Sequence, residues 1–449
     1  MQRILALVGV LVLLLGVHIA EARPSNQPQT AEQIAQATAT QPTAAQAPKA
    51  QAPATQAAAQ VKLQAPATRT PAAQTAQLQT PSPQTPAPQT PTPQAPAPQA
   101  TAAPLTQLDD AMIGVLTDSG FAGGSLAVAR NGTLVYAKGF GWASRDGSIK
   151  VRPETMFRQA SLSKAVTSSQ LRRLIGTGAL SWTTAVFPFL GVAVADPRMN
   201  AITVRHLVDH RSGFASDYTW EARTAASALD IASPPELDGM IRYVATQSLA
   251  SAPGATRVYQ NFNFALLVRV MERAGGRSWL EQIRDMASLA GPRTTGWRMA
   301  QSLDRPPDEA VYYDASAGPS VFDAVPGVRP WTYGGVYYPA NAGAVGLVSN
   351  EVDMVRYGVA AAQGRIPRAE DDPIPTRTGY AYSYTFEGSL PGTLTFLVYN
   401  WDGTNSTVWA VAFNGRTGSA FDAAVSSRLQ AAVDTVVTWP AVDLFPLYP

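Results

Sequence analysis

Four residues in this chain have types and spacing that suit acyl transfer. Ser161 and Lys164 stand three apart in "QASLSKAVT". A serine hydroxyl is a weak nucleophile until a base takes its proton. Residues three apart on a helix share a face, so the lysine amine can reach the hydroxyl. A lysine kept out of water, or close to another cation, can itself accept a proton. If the pair opens a helix, the helix dipole adds positive potential where an oxyanion would form. Further along, "PGATRVYQNFN" carries Tyr259 and Asn261. A tyrosine beside a lysine can share or lose its proton and act as a general base. The asparagine amide can hold the lysine or orient a substrate carbonyl. Either motif alone is short enough to arise by chance, as polar residues on a first helical turn or as a surface loop before a helix. Their occurrence together, in this order, is what carries weight.

These residues need elements to hold them. "LDDAMIGVLTDSG" reads as an opening helix, and "GGSLAVAR" and "TLVYAKGFGWAS" as strands joined by Asn131-Gly132, a strong hairpin signal. From Leu162 the chain reads as helix, with Gly176 and Gly178 as stops. A long, loop-rich middle follows. Near the C-terminus come two more strands, "GTLTFLVYN" and "STVWAVAFN", then the helical "AFDAAVSSRLQAAVDTVVTW". Strands contributed from both ends predict a sheet closed by the two termini, with the middle inserted.

The chain has 449 residues, but its composition is uneven. Residues 1–22 combine a basic Arg3, an apolar run from Ile4 to Val17 and the small-x-small Ala20-Glu21-Ala22, the pattern of a secretory signal peptide. The apolar run is shorter than the ~20 residues a membrane span needs, so no span is expected after cleavage. Residues 23–106 are rich in Ala, Gln, Thr and Pro and have too few large apolar groups to offset the entropy of ordering. They read as a disordered linker, a spacer or a tolerated tail. Residues 107–449 read as one globular domain. The absence of cysteine suits a bacterial periplasmic or secreted protein with a large core. A net charge of +2 gives no electrostatic footprint for nucleic acid. The expected partner is a small-molecule or peptide substrate, of which cell-wall material is one source.

The region from Leu108 to about Val437 resembles the serine β-lactamase-like superfamily, on the branch of class C β-lactamases, D-Ala-D-Ala carboxypeptidases and family VIII esterases. The resemblance rests on blocks in order: the hairpin "GGSLAVARNGTLVYAKGFGWAS", "ETMFRQASLSKAVT", "ITVRHLVDHRSGF", "PGATRVYQNFNFALL" and "GAVGLVSNEVDMVRYG". It implies an α/β fold in which an antiparallel sheet flanked by helices meets a mostly helical subdomain. It makes Ser161 the acylated nucleophile, Lys164 its proton partner, Tyr259 the base and Asn261 a substrate-binding side chain. It also makes His210 structural. No metal or organic cofactor is implied.

The family's third motif, Lys-Thr-Gly or His-x-Gly, is where this sequence departs. The matching place in "SYTFEGSLPGT" holds Phe386-Glu387-Gly388. Gly388 keeps room for substrate, Ser389 would supply the second oxyanion N–H, and the cation is missing. An aromatic here suits the esterase branch. Arg377 is a candidate substitute cation; Arg416 reads as a turn residue and Glu387 as a solvent-facing edge residue. His206 and His210, four apart on an expected helix, lack the glutamate of a zincin site. The aromatic run 311–343 could line a cleft or simply pack as loop. The sequence thus predicts an exported serine hydrolase of esters or amides. The rival is a non-catalytic wall-associated binding protein that retains the fold.

Overall fold

A computed structural model describes residues 105–291, 296–370 and 379–448. The expected signal peptide, the linker as far as residue 104 and Arg377 lie outside them. The folded part takes in the buried Leu105, two residues ahead of the boundary expected at 107.

Helix α1 (Thr106–Ser119) leads into strands β1 (Gly123–Arg130) and β2 (Thr133–Gly141). Asn131 and Gly132 both take positive φ, 52° and 84°, the backbone a two-residue hairpin needs. The short β3 (Phe157–Arg158) precedes α2 (Leu162–Gly176). A helical section follows: α3 (Val186–Leu190), α4 (Val204–Val208), α5 (Ala222–Leu229), α6 (Leu237–Ala245), α7 (Phe262–Gly275) and α8 (Trp279–Ser288). The loop-rich stretch after it holds β4 (Arg298–Met299), β5 (Ala317–Pro319) and β6 (Val328–Pro330), then α9 (Ala342–Val345), β7 (Leu347–Ser349) and α10 (Glu351–Ala362). Strands β8 (Tyr382–Leu390), β9 (Thr393–Trp401) and β10 (Ser406–Phe413) and helix α11 (Ser419–Asp434) complete the chain.

The main sheet runs β2-β1-β10-β9-β8, antiparallel throughout, so strands from the two ends of the domain pair at its centre. Alternate residues bury on opposite faces. Leu126, Val128, Phe396 and Trp409 pack with residues of α1 and α11. Ala127, Leu397 and Ala410 join a larger core with α2, α7, α8 and α10. The inserted helical section therefore sits on one side of the sheet, and β8 is an edge strand beside it.

A smaller sheet, β3-β7-β4, anchors the chain just before Ser161. Arg158 is buried there, 3.4 Å from Glu309, and donates to the Thr332 carbonyl at 2.7 Å. The rings of Tyr312, Tyr333 and Tyr338 surround its guanidinium at 4.4, 5.2 and 4.9 Å. A buried charge persists only when paired and hydrogen-bonded, and these tyrosines supply that enclosure. Much of the aromatic run 311–343 is thus packed around Arg158.

Candidate active site

Ser161 is the N-cap residue of α2, and its Oγ sits between two partners. Lys164 Nζ lies 3.0 Å away, one helical turn on, and Tyr259 Oη lies 3.0 Å away. Lys164 is buried and also donates to Asn261 Oδ1 at 2.7 Å and to the Ala344 carbonyl at 2.9 Å. An ammonium has three hydrogens, and here each has an acceptor. With Lys164 charged, Ser161 Oγ accepts from the lysine, and in its bond with Tyr259 Oη either oxygen can be the donor.

The turn into α2 is tightly held. Ala160 takes φ 46°, an uncommon value for a residue with a side chain. Ser163 Oγ donates to the Ala160 carbonyl at 2.7 Å and accepts from Leu347 N–H at 3.0 Å. Gln159 N–H donates to the Leu347 carbonyl at 2.8 Å. The loop that carries Ser161 is therefore sewn to β7 on both sides of it.

Tyr259 is backed by the His210 imidazole, ring centres 4.5 Å apart. His210 lies outside α4, in the left-handed region at φ 56°, so His206 and His210 do not share a helix face as the sequence suggested. Its Nδ1 accepts from Gln260 N–H at 3.2 Å, and its carbonyl accepts from Val258 N–H at 2.8 Å. Burial holds its pKa well below the ordinary value, and the charges of Lys164 and Arg257 add to the effect. The ring is neutral, an uncharged wall behind the tyrosine. His206 is otherwise occupied, its Nδ1 accepting from Thr203 N–H at the start of α4.

Asn261 is oriented by a residue the sequence reading missed. Asp217 accepts from Asn261 Nδ2 at 2.8 Å and from Phe262 N–H, the first residue of α7, at 3.0 Å. This fixes Asn261 with Oδ1 toward Lys164 and leaves one amide hydrogen for a substrate carbonyl. The only signal in the sequence is a carboxylate seven residues after His210 in the "HRSGFASD" block.

Strand β8 forms the opposite wall. A Cβ at Gly388 would stand 2.5 Å from the Gln159 carbonyl and 2.3 Å from Thr395 Oγ1, so the strand touches the loop before Ser161 only because residue 388 has no side chain. Leu390 pairs with Thr393 across a two-residue turn, which must be a hydrogen-bonded pair. The next pair, Ser389 with Leu394, is then non-hydrogen-bonded, and Ser389 points its N–H out from the sheet edge. Ser161 N–H has no acceptor among the described residues. Two backbone donors are thus available for an oxyanion.

Phe386 shares the Gly388 face, half-buried, with its ring 4.3 Å from that of Tyr384. The two rings line a groove with Tyr357, Leu397 and Tyr399. Glu387 turns to the other face, exposed, near Asp422 of α11. Arg416 is exposed after β10. No group of metal-ligating side chains occurs among the described residues, and none of their helices is long and apolar enough to cross a membrane.

Comparison with known proteins agrees with this architecture. Esterase EstB of Burkholderia gladioli is 28% identical over 187 residues, 39% of this chain and 47% of EstB. The putative penicillin-binding protein PbpX of Bacillus subtilis (strain 168) is 25% identical over 252 residues, 56% of this chain and 57% of PbpX. The chain thus matches about half the length of these curated relatives. Among solved structures, the D-amino acid amidase of Ochrobactrum anthropi SV3 complexed with D-phenylalanine superposes with a TM-score of 0.56 at 19% identity. That match covers 73% of this chain and 99% of the amidase. A penicillin-binding protein homologue from Pyrococcus abyssi, octameric in its structure, gives a TM-score of 0.56 at 20% identity, covering 73% and 77%. Residues 105–433 match the family model described as Beta-lactamase, nearly the whole folded region, and the chain belongs to that family.

Proposed function

We propose that the protein is an exported serine hydrolase that cleaves esters, and less readily amides, through an acyl-enzyme on Ser161. The observation that carries this reading is the closed set of hydrogen bonds around Ser161 Oγ, in which Lys164 and Tyr259 are both within 3.0 Å. In its phenolate form Tyr259 takes the serine proton at Oη as Oγ bonds to the substrate carbonyl carbon. The carbonyl oxygen becomes an oxyanion facing the N–H groups of Ser161 and Ser389. As the intermediate collapses, the bond to the leaving group breaks and the proton passes from Tyr259 to the departing alkoxide or amine. Water then gives a proton to Tyr259 and attacks the acyl carbon. Release of the acid returns the proton to Ser161. Lys164 steadies the charge that passes over Ser161 and Tyr259, and Asn261 offers its remaining amide hydrogen to the substrate.

The ester preference is supported by Phe386, an aromatic where the family's cation would stand, and by the similarity to esterase EstB. Export rests on the pattern of residues 1–22. The test is activity-based labelling. A fluorophosphonate probe should label the wild type at Ser161, S161A should stay dark, and labelling by a fluorescent penicillin should be weaker. An unlabelled wild type, or equal labelling of S161A, would leave the non-catalytic binding protein as the reading to adopt.

A further inference from the structure

The loss of the third-motif cation leaves open what, if anything, recognises charge on the substrate. Lys164 has no hydrogen left to give, since Ser161 Oγ, Asn261 Oδ1 and the Ala344 carbonyl take all three. Arg158 is buried beside Glu309 behind the nucleophile loop. Arg172 donates to the Ala369 carbonyl at 3.1 Å, and Arg368 lies over the Tyr382 ring at 5.4 Å, beside Glu370 in the groove of Phe386. Arg257 differs from all of these. It is exposed and has neither a hydrogen bond nor an ion pair among the described residues.

Its position is set by the chain that presents Tyr259. Val258 and Gln260 both turn their N–H groups to His210, the two-residue alternation of an extended segment. Arg257 and Tyr259 therefore leave the backbone on the same side. The charge of Arg257 is felt by His210, which backs Tyr259, and by Tyr384 on β8, which stacks on Phe386. Arg257 thus leaves the chain on the Tyr259 side as an exposed guanidinium without a partner among the described residues, its charge reaching both walls of the cleft.

We propose that Arg257 is the specificity-determining cation of this cleft and selects ester or amide substrates that carry a carboxylate away from the scissile bond. A guanidinium suits the task because its planar fork can hold a carboxylate through two hydrogen bonds. The proposal rests on the hydrolase reading above, but its first test does not depend on turnover. Full-length S161A is titrated by calorimetry with phenyl butyrate, with 3-carboxyphenyl butyrate and with phenyl hydrogen glutarate. At least one acidic ester should bind more tightly than the neutral one, and S161A/R257A should lose that preference, a change of about tenfold or more for a charged hydrogen bond. R257K should restore part of it, and added salt should diminish it. In the Ser161 protein, R257A should lower kcat/KM for the favoured acidic ester at least tenfold more than for phenyl butyrate. Equal affinity of S161A for all three esters, or equal losses for all three on removing Arg257, would overturn the proposal. A retained Arg257-dependent binding preference without turnover or probe labelling would instead sink the hydrolase reading alone.

Discussion

Asp217 shows how much of the site depends on a residue with no part in bond-making. One carboxylate oxygen fixes the Asn261 amide and the other caps the N–H of Phe262. D217N keeps an acceptor for one of these donors but sets an amide NH2 against the other. Asn261 is then free to rotate and withdraw Oδ1 from Lys164, which would lose one of its three acceptors. The expected result is a fall in kcat/KM of about 10–100-fold, the effect of about 1.5–3 kcal/mol from a charge-assisted hydrogen bond. A loss of about 1 kcal/mol of stability should accompany it, from the weakened start of α7. Steady-state kinetics on a model ester and thermal melts check both. Unchanged kinetics in a folded variant would show that Asn261 holds its orientation without Asp217. The sequence disclosed Ser161, Lys164, Tyr259 and Asn261 because each pair sits within one turn or one short loop. Asp217 meets Asn261 across 44 residues of chain, and no local pattern records such a meeting.

At the level of elements, the cleft depends on how closely β8 approaches the loop before α2. The closeness is set at Gly388, where a methyl group would fall 2.5 Å from the Gln159 carbonyl. G388A must push the strand outward, and Ser389 N–H would move with it. The expected loss of kcat is 100-fold or more, given that one misplaced oxyanion donor costs about 10²–10³. Stability should fall by about 1–3 kcal/mol from overpacking. A larger drop in kcat than in affinity for a substrate analogue would separate lost oxyanion binding from a general loss of fold. A kcat near that of the wild type would mean that the loop, not the strand, absorbs the methyl group. The strands and long helices were legible because each carries its own period and turn residues. The Asn131-Gly132 hairpin and the helix from Leu162 follow their local signals. The helix expected to carry both His206 and His210 ends early because His210 is drawn into a left-handed turn that presses its ring on Tyr259. Likewise, the tyrosines of 311–343 gain their order from Arg158, more than 150 residues earlier, through contacts that only the assembled fold creates.

For the molecule as a whole, the joint between the small sheet and the sheet-covering helix α10 hides an ionisable group. Glu351, the first residue of α10, is fully buried and accepts from Gln159 Nε2 at 2.9 Å. Burial pushes its pKa from the ordinary 4.5 up to about 8, and the bond from Gln159 only partly opposes the shift. Between these two values the folded chain keeps a proton that the unfolded chain has released. Stability contributed here is complete below about pH 4.5, declines as pH rises to about 8, and is level above. E351Q cannot ionise and retains a carbonyl oxygen to accept from Gln159, so it should escape the decline. Asp422 and Glu387, whose pKa values are also raised, occur in both proteins and cancel in the difference. Denaturant unfolding at a series of pH values should therefore show E351Q gaining on the wild type by roughly 3–5 kcal/mol between pH 4.5 and 8.5. Parallel curves across that window would mean that Glu351 is already ionised in the fold. In that case the loop carrying Gln159 and Ser161 would tolerate a buried charge one hydrogen bond away, with α10 held by its Asn350 cap, the Arg356–Asp353 pair and the apolar packing of Val352, Val355 and Val359.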